Sequence, residues 1–107
     1  EPTKENLAKA EKLIAPLLEK FKNVPSLVDT GAWVYCRKGE YGKARNLLLG
    51  IDEKARNIPA INYHLGMIYL GLGEKDKAKS HLQLALKGKE NFPGRQEAEK
   101  EMEKLLQ

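Results

Sequence analysis

The stretch YHLGMIYLGLGEKDKA, residues 63–78, decides the fold. Leu65, Ile68, Tyr69 and Leu72 stand at helical spacing, but Gly66, Gly71 and Gly73 interrupt them. A glycine inside a helix costs about 1 kcal/mol relative to alanine. The conflict resolves if one helix ends near Gly73 and a second begins just after Glu74, because glycine is favoured just past a helix end.

Sliding the sequence by 34 residues repeats this arrangement. Pro25 meets Pro59, Tyr35 meets Tyr69, Gly39 meets Gly73, and Glu40 meets Glu74. Lys43, Ala44, Leu48 and Asn57 meet Lys77, Ala78, Leu82 and Asn91, which makes eight identities between residues 25–58 and 59–92. Chance would give about two. Pro93 continues the phase, and upstream Ala10, Ile14 and Leu17 fall in register with Ala44, Leu48 and Ile51. Residues 3–22 therefore read as the second half of a repeat, residues 25–58 and 59–92 as whole repeats, and residues 93–107 as a capping helix within a single domain of residues 1–107.

Each whole unit predicts two helices, over 26–38 and 41–53, then over 60–72 and 75–87. The prolines fall at the start of each first helix, where the missing N–H is harmless. In the last segment Ala98, Met102, Leu105 and Leu106 form one apolar stripe, and Glu97–Lys100 and Glu101–Lys104 are spaced to pair at i,i+3. A helix with one apolar and one soluble face suits an array's end. Pro16 lies inside the first helical pattern and predicts either a kink or a split there.

Composition bounds the function. The chain has 107 residues, 41% hydrophobic and 32% charged, which suits one globular domain with a modest core. Its formal charge of +4 comes from lysines interleaved with glutamates, the pattern of a solvated helix face rather than a nucleic-acid stripe. No apolar run approaches the ~20 residues of a membrane span, so no membrane insertion is expected. Cys36 is the single cysteine, which excludes an internal disulfide and a cysteine zinc cluster. His64 and His81 have no acidic cluster beside them, and the chain carries no phosphate loop or hydrolase motif, so no metal, cofactor or catalytic centre is expected.

A 34-residue helix–turn–helix unit with this punctuation resembles the tetratricopeptide repeat (TPR) family. Residues 59–92 supply Leu65, Gly66, Tyr69, Ala78, Leu82 and Ala85 at the family's positions, with Asn62 in place of the usual Trp. The earlier unit matches through Gly31, Ala32, Tyr35, Ala44, Leu48 and Ile51. The resemblance implies an all-α, right-handed superhelix of antiparallel helix pairs with a C-terminal capping helix. It implies a scaffold that binds a partner protein or peptide in a concave groove, with no enzymatic activity of its own. The groove positions fall on Asp29, Trp33 and Arg37 in the first unit and on Tyr63, Met67 and Leu70 in the second. Trp33, Tyr63 and Met67 at that spacing suit either a groove floor or a core. The family's carboxylate-clamp branch uses Lys, Asn and Arg on this face, which Asp29, Trp33 and Met67 do not reproduce.

The closing segments are similar in style to the C-terminal end of bacterial TPR proteins, which implies a bacterial cytoplasmic or cell-envelope setting. Glu1 in place of Met and the half repeat at residues 3–22 lead to the expectation of a piece of a longer array. The alternative to a scaffold is that the array serves as the recognition or oligomerisation arm of a larger enzyme such as a glycosyltransferase. Apolar residues along 3–22 could also drive self-association.

Overall fold

A computed structural model describes residues 3–107, and these form helices joined by short turns. In chain order they are α1 (Lys4–Lys20), α2 (Pro25–Arg37), α3 (Tyr41–Leu49), α4 (Glu53–Arg56), α5 (Pro59–Gly71), α6 (Lys75–Leu86) and α7 (Arg95–Leu105). The described residues include no strand. The principal extents are 40 × 30 × 24 Å.

Two turns are built alike. Gly39 at φ 85° and Gly73 at φ 79° occupy the left-handed region that lacks a penalty only for glycine. At the first turn Glu40 N–H donates to the Tyr35 carbonyl at 2.9 Å and Gly39 N–H to the Cys36 carbonyl at 3.0 Å. At the second, Glu74 N–H donates to Tyr69 and Gly73 N–H to Leu70 at the same two distances. This is the Schellman arrangement, which satisfies the last carbonyls of a helix and reverses the chain. Glu40 and Glu74 carbonyls then accept from Ala44 and Ala78, opening the next helices. The in-phase Tyr and Lys residues also meet in space: Lys43 Nζ lies 4.4 Å from the Tyr35 ring centre, and Lys77 Nζ 5.5 Å from that of Tyr69.

The reversals lay α3 on α2 and α6 on α5. Each later first helix packs on the pair before it: α5 on α3 and α2, α7 on α6 and α5. At Gly66 helices α5 and α6 approach so closely that a Cβ would stand 2.7 Å from the Leu82 side chain. Val28, Ala32, Tyr35, Ala44, Leu48, Leu65, Ile68 and Tyr69 form the main core, and Leu82, Ala85 and Ala98 with Tyr63 a second cluster beneath α7. Gly71 has a neighbour that periodicity does not reveal, because a Cβ there would meet the Tyr41 ring at 2.3 Å.

Four features differ from the sequence expectation. Helix α1 continues through Pro16 rather than splitting there, with the proline on the solvent side. The helix expected over 41–53 stops at Leu49, and Asp52 begins the single turn of α4. Leu106 lies past the end of α7 and is 63% exposed, so the buried stripe there is Ala98, Met102 and Leu105. In α7, Glu101 pairs with Lys104 at 3.1 Å, while the other ion pair is Arg95–Glu99 at 3.5 Å rather than Glu97–Lys100. On α1, Ile14 is buried but Leu13 is 75% exposed, and Glu11 anchors the helix by pairing with Lys38 beyond α2. No helix among the described residues is long and apolar enough to cross a membrane.

Asn62 is buried at 3% exposure and is fully engaged. Its Oδ1 accepts from His81 Nδ1 at 3.0 Å, and its Nδ2 donates to Asn57 Oδ1 at 3.3 Å. His81 also stacks on Tyr69, with ring centres 5.4 Å apart. Burial, and secondarily the Arg56 charge, hold the His81 imidazole below its ordinary value of 6.5.

Gly66→Ala should lower stability by roughly 1–2 kcal/mol, because fully buried Leu82 cannot yield and the overpacking outweighs the helix-propensity gain. A urea midpoint equal to wild type would mean that Leu82 repacks freely. His81 sets an acid limit. The unfolded chain binds its proton more readily than the native one, so stability is full above the ordinary value and falls as pH drops through the window below it. His81→Gln should flatten the fall in denaturation midpoint between about pH 7 and pH 5.5, where few carboxylates titrate. An unchanged slope would remove His81 as its source.

Candidate functional site

Helices α2 and α5 lie side by side, and residues 29, 33, 36 and 37 of α2 share one face by the 3.6-residue period. Where that face meets α5 and the start of α3, Trp33, Cys36, Arg37, Tyr41 and Met67 line an open cleft of ≈ 170 Å³. Trp33 packs on both core clusters while staying half-buried, so its ring forms the wall between core and cleft. The Arg37 guanidinium carbon lies 5.8 Å from the Trp33 ring centre, within cation–π range, and the residue is exposed. Met67 is half-buried beside it and offers a flexible, polarisable surface.

Behind the cleft a second layer fixes the tryptophan. His64 stacks on Trp33, with ring centres 4.2 Å apart and planes 22° from parallel. The other polar contact of His64 is to Asp29, at 2.7 Å between Nδ1 and Oδ1. A carboxylate only accepts, so Nδ1 carries the hydrogen and donates it. Both side chains are about 15% exposed. Tyr63 meets Trp33 at 5.6 Å between ring centres and Phe92 at 6.2 Å, with the planes tilted by 48° in both pairs.

Of the six expected groove residues, three meet at the cleft: Trp33, Arg37 and Met67. Asp29 is engaged with His64 rather than flanking the opening. Tyr63 is a core residue, 5% exposed, with its ring against Gly94 and α7. Burial raises its hydroxyl above the ordinary value, and the Glu97 charge on α7 acts in the same direction. Leu70 is half-buried and packs on both clusters, so it supports the wall from below. Sequence reasoning missed Tyr41 and His64. Tyr41 follows a turn glycine and Gly71 has no periodic partner, so their contact left no pattern to read. His64 follows Tyr63, and Asp29 lies 35 residues away, a pairing visible only once α2 and α5 are adjacent.

Cys36 lines the cleft but is a packed thiol. It is 6% exposed, and desolvation pushes it up to about 11 against the opposing pull of Arg37. Among the described residues no three His, Cys, Asp or Glu side chains gather as a metal site. Compared with family models, curated proteins and solved structures, the chain matches none.

At pH 8 the native protein should react with a disulfide reagent far more slowly than the same protein in denaturant, because both burial and the raised pKa suppress the thiolate. Equal labelling rates in the two states would place Cys36 in solvent. Asp29→Ala should cost about 1–3 kcal/mol, since it leaves the half-buried His64 Nδ1–H without its acceptor. Thermal melts of the variant against wild type measure that loss, and an unchanged melting temperature would mean that the contact is not formed in solution.

Proposed function

We propose that this chain is a protein-interaction scaffold of the tetratricopeptide kind, a right-handed stack of antiparallel helix pairs closed by α7. It receives an extended segment of a partner protein across the face where α2, α3 and α5 meet. The observation that carries the reading is the cleft itself: a half-buried tryptophan, a methionine and a tyrosine beside an arginine, held rigid from behind by His64 and Asp29. The two in-phase Schellman turns and the packing of each later first helix on the pair before it support the repeat reading.

Aromatic side chains and arginine dominate the energetics of interfaces, because they bury large areas and keep one polar or charged edge. A partner side chain of aliphatic or aromatic type fills the cleft, and a neighbouring carboxylate pairs with Arg37. Rigid support matters here. A wall already ordered in the free protein loses less side-chain entropy on binding, so more of the contact energy appears as affinity. Catalysis has no part in this reading, since the cleft offers recognition surface and a packed thiol.

Selection from a displayed peptide library tests it. Wild-type protein should enrich a segment that pairs a large apolar residue with an acidic one. The Arg37→Glu and Met67→Glu variants should each weaken the selected peptide by about tenfold or more. Enrichment of peptides that bind both variants as tightly as wild type would place recognition elsewhere.

A further inference from the structure

A second opening lies between α4, α5 and α6 and shares no residue with the Trp33 cleft. Its volume is ≈ 170 Å³, several times the share of one liquid water, which is about 30 Å³. Arg56, Asn57, Asn62 and His81 line it together with the exposed Glu53. The hydrogen bonds here run in one direction. His81 Nδ1 donates to Asn62, and Asn62 donates to Asn57, so both amide carbonyls accept from within the network. Donors are left over. The Asn57 amide group sits at the end of the chain, and Arg56 Nε is buried with no hydrogen-bond partner among the described residues.

A buried N–H without an acceptor carries the desolvation penalty of a polar group removed from water, and a guanidinium pairs best with a planar or tetrahedral oxyanion. We infer that this opening is a subsite for a small oxyanion, a phosphate or a carboxylate, received by Arg56 and Asn57 with His81 at its inner wall. An anion answers both features at once: it supplies the acceptor that Arg56 Nε lacks and neutralises the positive charge that Arg56 places beside His81. A cation would be repelled by the Arg56 guanidinium. The charged and titratable groups facing His81 are Arg56 and Glu53 from α4 and Tyr69 from α5, with Lys77 of α6 over the Tyr69 ring. Arg56 is the charge that acts on the imidazole, and its effect opposes protonation. A bound oxyanion reverses the balance, so the site takes up a proton on His81 as it fills, and Nε2 turns from acceptor to donor.

The test is a histidine NMR titration of the full chain, with inorganic phosphate and acetate as separate probes and sodium chloride at matched ionic strength as the reference. Phosphate, acetate or both should move the His81 titration midpoint upward by about half a pH unit or more. Which probe acts identifies the ligand's head group. Arg56→Gln should abolish the anion-dependent movement while raising the midpoint measured in chloride. Glu53→Gln, at an exposed position on which packing does not depend, should lower the anion concentration needed by about two- to fivefold. A His81 midpoint that is the same in phosphate, acetate and chloride overturns the proposal, as does a Glu53→Gln protein that binds no more tightly than wild type. Peptide selection on the Trp33 cleft is unaffected by either result, since the two openings share no residue.

Discussion

The structure depends on how closely α5 can lie against α6. At Gly66 the missing Cβ leaves room for Leu82, whose side chain is fully buried and occupies the space a methyl group would need. Ala78 and Ala85, both buried, extend the close seam along α6. Close packing of small against large side chains gives dispersion contacts that no looser spacing recovers. The same pair then offers its outer surfaces to α3 on one side and α7 on the other. Widening the seam would displace both layers, so the Gly66–Leu82 contact governs more of the molecule than its two residues suggest.

Repetition of that pair was legible in the sequence because it is written in residues with one dominant physical role. Gly39 and Gly73 adopt a backbone conformation that other residues avoid, and Ala44 and Ala78 must be small. Pro25 and Pro59 open α2 and α5, where the helix has no use for their missing N–H. Such constraints survive in the sequence whatever the neighbouring side chains do. The end of α3 did not survive in this way. Its apolar stripe continues through Ile51, which is buried, but Gly50 closes the helix and turns the chain before that residue.

The site was only partly legible, for a related reason. Periodicity places Trp33, Arg37, Tyr63 and Met67 on the same kind of helix face, but it cannot tell which of them the next layer covers. Phe92 and α7 fold over Tyr63, whereas Trp33 stays half-buried at the edge of the cleft, so two aromatic residues at similar positions end in different environments. Tyr41 enters the cleft because Gly71 leaves space for its ring, and an exposed glycine carries no apolar signal. The Asp29–His64 contact joins residues from two different repeats. It depends on the stagger between α2 and α5, a quantity that one helix's sequence does not contain.

The early end of α3 and the buried Asn62 have a common cause. The sequence pattern alone would carry α3 on to residue 53. Instead the chain turns at Gly50, and α4 brings Arg56 and Asn57 over the beginning of α5. A tryptophan at position 62 would then have faced a guanidinium and an amide. Asparagine answers both Asn57 and His81 with one side chain, accepting from the imidazole and donating to the Asn57 amide oxygen. Burial without such partners would be costly, so the asparagine at position 62 depends on the turn after α3 that brings Asn57 to it. The polar opening beside His81 is therefore a consequence of where one helix stops.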